Sequence, residues 1–218
     1  MKVSASFILS WLVISFFCSS QAYADKLTVA SFSKSNIDDW EEKIFANKTR
    51  YQLMQMPGKK VLVAESKDSA SALIKEIRID LKKYPYLNWS WSINNRLPTA
   101  NEKTKSGDDY AARVYVIVDG GLFFWSSRAM SYVWSNQATK GEYWENAFAG
   151  KNVIMLSVRD KQDKTSTWVP EKRNVYEDLR KYFGKDIQYI DAVALMTDSD
   201  NSHGKVKAYY GDIYFSSH

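Results

Sequence analysis

Two adjacent carboxylates open the densest polar stretch of the chain: Gly107-Asp108-Asp109-Tyr110 leads, after two alanines, into Arg113-Val-Tyr. Carboxylates at a loop-to-strand junction can accept hydrogen bonds from hydroxyls, ligate calcium through oxygen, or clasp a guanidinium in a two-pronged ion pair. The ion pair expected here is Asp109 with Arg113, locking the start of the strand. Tyr143 and Trp144, in the polar run Gly141-Glu-Tyr-Trp-Glu-Asn146, offer a different chemistry. Flat rings stack on the apolar faces of sugars and lose little entropy when fixed. Trp89 and Trp91 share one strand face at spacing two, a pattern that core packing explains well. Trp91 is nevertheless a third stacking candidate.

Thr197-Asp-Ser-Asp-Asn-Ser-His-Gly204 has the composition of a calcium loop. Its ligand positions are out of register, however, and Tyr209 stands where the bidentate Glu of a helix-loop-helix site is required. A tight hairpin of Asp, Asn and Gly explains the segment equally well. Enzyme signatures are missing: there is no G-x-S-x-G, G-x-G-x-x-G or G-x-x-x-x-G-K-[ST], and histidine is limited to His203 and His218. A carboxylate pair for glycoside hydrolysis is non-local and cannot be nominated from sequence.

The elements that must position these groups begin after a leader. Lys2, an apolar run from Phe7 to Phe17 and Ala22-x-Ala24 form the three parts of a secretory signal peptide cut before Asp25. The apolar run is shorter than the roughly 20 residues that span a bilayer. The leader contains the only cysteine, Cys18, so residues 25–218 hold no disulfide and no thiolate metal site. One domain is the simplest count for that length. A net charge of +5 spread along 218 residues is ordinary solubility, and an exported chain does not expect a nucleic-acid partner. Lys59-Lys60, Lys82-Lys83 and Lys103/Lys105 read as solvated strand ends or loops.

Short β-branched and aromatic stretches separated by Gly, Asn, Asp and Pro recur along residues 25–218, the pattern of an all-β sandwich. Ile77-Arg-Ile79-Asp-Leu81 alternates cleanly and must lay one face on a core, while Arg113–Val118 is apolar on both faces and belongs in the middle of a sheet. Met56-Pro57-Gly58-Lys59 is a hairpin turn. Helices are expected over Asp38–Ala46 and over Asn174–Phe183, the second between a capping Asn and Gly184. Long polar connections at Asn94–Asp109 and Ser135–Lys151 are the natural places for a site. If consecutive strands run antiparallel, these two lie at one end of the sandwich and the Thr197–Gly204 turn lies at the other.

Tyr84-Pro-Tyr-Leu-Asn-Trp-Ser-Trp91, Asp108-Asp-Tyr-Ala-Ala-Arg-Val-Tyr115, Met196-Thr-Asp-Ser-Asp200 and Ala208-Tyr-Tyr-Gly-Asp-Ile213 stand in this order along the chain. Together they resemble the bacterial family called domain of unknown function 3047, with Asp-Asp-Tyr-Ala-Ala-Arg as the most specific part. That family's pattern is in turn similar to galactose-binding-like jelly rolls, the sandwiches behind many carbohydrate-binding modules. The resemblance implies an all-β jelly-roll sandwich with one or two short helices. It also implies Asp212, near the last strand, as ligand of a structural calcium. The functional expectation is non-catalytic binding of a glycan or polyol in the periplasm, with Trp91, Tyr143 and Trp144 stacking and Asp108, Asp109 and Arg113 bonding hydroxyls. A polysaccharide hydrolase or lyase, or a cell-envelope protein-interaction module, are the alternatives.

Overall fold

Alternation along the strands decides the architecture. The computed structural model describes residues 25–35, 37–98, 101–118 and 127–218; the leader read in residues 1–24 lies outside them. In chain order the elements are β1 (Lys26–Ala30), β2 (Glu41–Ala46), β3 (Arg50–Met56), β4 (Lys59–Lys67), β5 (Ala70–Asp80), β6 (Tyr86–Ile93), β7 (Arg113–Val118), β8 (Arg128–Trp134), β9 (Tyr143–Asn146), β10 (Gly150–Arg159), β11 (Val169–Asn174), α1 (Val175–Phe183), β12 (Tyr189–Asp198), β13 (Lys205–Tyr210) and β14 (Ile213–Ser216). Two short 3₁₀ turns, Phe32–Lys34 and Lys105–Gly107, complete the set. The fold is an all-β jelly-roll sandwich with one α-helix among the described residues.

The first sheet runs β1-β14-β6-β13-β4-β3, with β11 on the free side of β6, and the second runs β2-β5-β12-β7-β8-β10-β9. Strand β7 is therefore central, as its two apolar faces require. Leu87, Trp89, Trp91 and Ile93 point inward from β6, and Val114, Val116, Met130, Tyr132 and Trp134 point inward from β7 and β8 to meet them. Trp91 packs edge-on against Trp89 at 5.4 Å and tilted against Trp134 at 5.7 Å. Rings of this size give the core much of its buried apolar area. Ile79 and Leu81 are fully buried as their alternation demands, and Gly58 closes the β3–β4 hairpin at φ 81°.

Helix α1 starts where the Asn174 side chain accepts the Glu177 N–H at 3.1 Å and ends at a left-handed Gly184. Asp178, on its first turn, is gripped by Arg173 through two nitrogens (3.0 and 2.6 Å) and by the Tyr132 hydroxyl at 2.9 Å. The helix is thus fixed to β8.

Three expectations need correction. Asp38–Ala46 is not a helix: Glu41–Ala46 pairs antiparallel with the edge of β5, and Ile44 and Phe45 are more than half exposed. An open sheet edge satisfies these backbone groups better than a helix whose apolar residues find no core. Ser135–Lys151 is not a single loop, because it contains β9, whose residues alternate exposed and buried. That added strand reverses direction once more, so β10 runs parallel to β8 and the end of β12 arrives beside the start of β7. The Thr197–Gly204 turn therefore sits at the same end as Asn94–Asp109, not the opposite one. It is also no hairpin, since β12 and β13 lie in different sheets.

Candidate functional site

On a strand of the second sheet, residues one apart face opposite ways, so the side chains that flank the inward-facing core residues point outward. Outward go Ala70, Ala72 and Ile74 of β5, Tyr115 and Ile117 of β7, and Ala194 and Met196 of β12, and they line a cavity of about 500 Å³. An outer face of an antiparallel sheet is ordinarily polar; this one is apolar, with alanines giving depth at its floor. Phe45 on β2 and Phe148 in the β9–β10 turn border it, and both rings are about 60% exposed.

The polar end of the groove is where three connections meet. Gly107 comes so close to the Asn101 carbonyl that a Cβ could not be accommodated, and this turn delivers Asp108 and Asp109 to the start of β7. Arg113, 2% exposed, donates Nε–H to Asp198 Oδ1 at 3.1 Å and a second nitrogen to Asp198 Oδ2, completing a two-pronged pair. It also reaches the Asp108 carbonyl at 2.8 Å, the Asp108 carboxylate at 3.5 Å and the Tyr115 hydroxyl at 3.2 Å. Asn146 of β9 donates to both oxygens of Asp108, at 3.3 and 3.2 Å. Asp109, fully buried, accepts backbone N–H groups of Asn201 (3.1 Å) and Ser202 (2.6 Å). Arg113 thus pairs with Asp198 and Asp108, and Asp109 instead pins the 197–204 turn to this end.

The two long connections do meet, as their parity required. Asn136 donates to the Asp109 carbonyl at 3.2 Å, and the buried Glu102 carboxylate accepts the N–H groups of Asn136, Gln137 and Ala138 at 2.8, 3.1 and 2.6 Å.

Burial raises the Asp108 carboxyl above the ordinary range, against the pull of Arg113 and Asn146. Burial likewise raises Asp200, with Asp109 and Asp108 adding to the rise. Oxygens of Asp109, Asp198 and Asp200 lie within 4.8 Å of one another, the one group among the described residues with metal-ligand spacing. It fits a divalent cation poorly, because Arg113 already occupies Asp198 on both oxygens and two backbone N–H groups occupy Asp109.

The remaining sequence candidates are placed elsewhere. Trp91 has no exposed surface; its indole N–H donates to Glu171 at 3.2 Å, and it belongs to the core, away from any ligand. Trp144 belongs to β9, is 9% exposed and stacks on Tyr110 at 6.4 Å. It supports the site from behind. Tyr143 points the opposite way along β9, is 56% exposed and rests on Tyr182 of α1 at 4.7 Å, outside the groove. Asp212 accepts hydrogen bonds from the Ser33 N–H (2.8 Å) and hydroxyl. Among the described residues no group of three or more acidic, histidine or cysteine side chains at metal spacing includes Asp212.

Sequence reasoning did not single out Phe45, Tyr115, Asn146, Phe148, Met196 or Asp200 as groove residues. Tyr115 was within reach, since it shares a face with Arg113 at spacing two.

Comparisons with known proteins agree with this architecture. No curated protein matches the sequence. Among solved structures, the chain is similar to the family 11 carbohydrate-binding module of the cellulosomal cellulase Lic26A-Cel5E of Clostridium thermocellum, at 10% identity and a TM-score of 0.50, over 90% of this chain and 97% of that one. The family 30 carbohydrate-binding module of the Cel9D-Cel44B cellulase of Clostridium thermocellum follows at 10% identity and 0.48, over 83% and 92%. Endoglucanase cel12A of Rhodothermus marinus follows at 9% and 0.47, over 88% and 99%. At such identities the first likeness concerns the fold alone. Residues 38–214 match the family described as "Protein of unknown function (DUF3047)", and the chain belongs to that family.

Proposed function

We propose that the outer groove of the second sheet binds a glycan without chemical conversion, in a protein carried to the periplasm by the leader read in residues 1–24. One observation carries the reading: an apolar trough between two exposed rings, Phe45 and Phe148, ends in a polar cluster of Asp108, Arg113, Asn146 and Asp200. Rings and apolar floor suit the C–H faces of sugar rings, and carboxylates and amides suit hydroxyls. The fold likeness to a carbohydrate-binding module is in keeping with this. Membrane insertion plays no part in the proposal; no helix of the described residues is long and apolar enough to cross a bilayer.

The test is calorimetric titration with neutral hexasaccharides of glucose, xylose and mannose. Binding of at least one is expected, and the double variant Phe45→Ala/Phe148→Ala should weaken it about tenfold, since one stacked ring contributes roughly 0.5–1.5 kcal/mol. Heat from none of them, or an affinity the double variant leaves intact, contradicts the proposal. Release of shorter sugars during the titration would replace binding with hydrolysis.

A further inference from the structure

The outward face of the first sheet carries lysines instead. It carries a second cavity, of about 620 Å³, on the far side of the sandwich from the groove. Its floor is small and polar. Asn88 and Ser90 of β6 lie beneath it, and at Gly211, between β13 and β14, a Cβ would collide with the Ser90 hydroxyl. Around this floor stand Lys59, Lys60 and Lys172.

Among the described residues none of the three lysines forms an ion pair. Lys59 sits 3.3 Å above the Trp168 ring, Lys172 lies 4.6 Å from the Tyr86 ring, and Lys60 donates to the Ser35 hydroxyl at 2.6 Å. Two acids also line the cavity, but Glu171 is turned to Arg159 at 2.5 Å, a guanidinium it shares with Asp163. That leaves Asp212, bound to Ser33, as the single anion facing three ammonium groups. Desolvation lowers the Lys59 ammonium, and the charge of Asp212 offsets only part of that. A Tyr214 ring at the cavity edge adds a surface on which a sugar can rest.

We propose that this cavity on the first sheet is a second binding site, selective for a ligand that carries an oxyanion, a carboxylate or a phosphate, against Lys59, Lys60 and Lys172. It is separate from the glycan groove and does not depend on it.

Titration of the whole protein with trigalacturonate, with inorganic phosphate and with neutral cellotriose tests the proposal. At least one anion should bind, its affinity falling on addition of salt and dropping tenfold or more in Lys59→Ala/Lys172→Ala. Lys172 is exposed and Lys59 half-buried at a strand end, so the fold should survive, as a matching melting curve would verify. Phe45→Ala/Phe148→Ala should leave anion affinity unchanged. Binding by trigalacturonate alone names a uronate as the source, and binding by phosphate alone names a phosphoryl group. If neither anion binds, if the lysine double variant binds them as well as the wild type, or if removing the groove rings abolishes the anion signal, the second site does not exist.

Discussion

Four carboxylates, Asp108, Asp109, Asp198 and Asp200, cluster around one guanidinium at the polar end of the groove, and Asp108 and Asp200 are both raised, by burial first. Asp200, half-buried, has its carboxyl raised above the ordinary aspartate value by burial first and by its acidic neighbours second. A raised acid favours the folded state when protonated, so its charged form costs stability above the folded value. That cost fades as pH falls through the window down to the unfolded value, where both states are protonated. Asp200→Asn should therefore raise Tm at pH 7 by about 1–2 °C, roughly 0.5 kcal/mol for a chain of this length once solvent screening is allowed for. Below about pH 3.5 the two proteins should melt together. Thermal melts at both pH values check this, and a lower Tm at pH 7 would mean that Asp200 is held by attraction. Part of this cluster was legible in the sequence, because two carboxylates stand just ahead of Arg113 at a loop-to-strand junction, although the partner expected was Asp109 and the one found on this loop is Asp108. Asp198 was not, since only the antiparallel pairing of β12 with β7 brings a residue 85 positions away onto the guanidinium.

Strand β9 is the element that most changes the reading of the chain. Four residues between turns, with Glu and Asn among them, carry too weak an alternation to be recognised, and β9 forms because the edge of β10 needs a backbone partner. Its presence buries Trp144, exposes Tyr143, brings Asn146 to Asp108 and moves the 197–204 turn to the site. Replacing Trp144 with Ala should cost about 3 kcal/mol or more by chemical denaturation, as buried large rings do. Tyr143→Ala should stay within about 1 kcal/mol. A small, equal effect for both would return this segment to an unstructured loop. Helix α1 was readable because Asn174 and Gly184 are strong local signals that need no distant partner. The misread helix over Asp38–Ala46 had cap-type residues too, Asp38 and Asn47, and its β pairing is dictated instead by the distant edge of β5.

At the scale of the whole molecule, alternation and turn residues were enough to define a two-layer sandwich, because strand patterning reports which face meets a core. They do not report how a sheet curls, and curvature is what turns the outer face of β5, β12 and β7 into a trough. The two sheets consequently present different outer faces, apolar and ring-bordered on the second, lysine-rich on the first. Met196 lies on the floor of the trough, whereas Met54 is on β3 in the first sheet and Met130 is enclosed in the core. The methionine-methyl NMR spectrum of the isotope-labelled protein is therefore a direct report on where a saccharide settles. On titration with the hexasaccharide that binds best, the Met196 methyl should shift while those of Met54 and Met130 stay in place; a bound sugar that leaves Met196 unmoved would contradict the account.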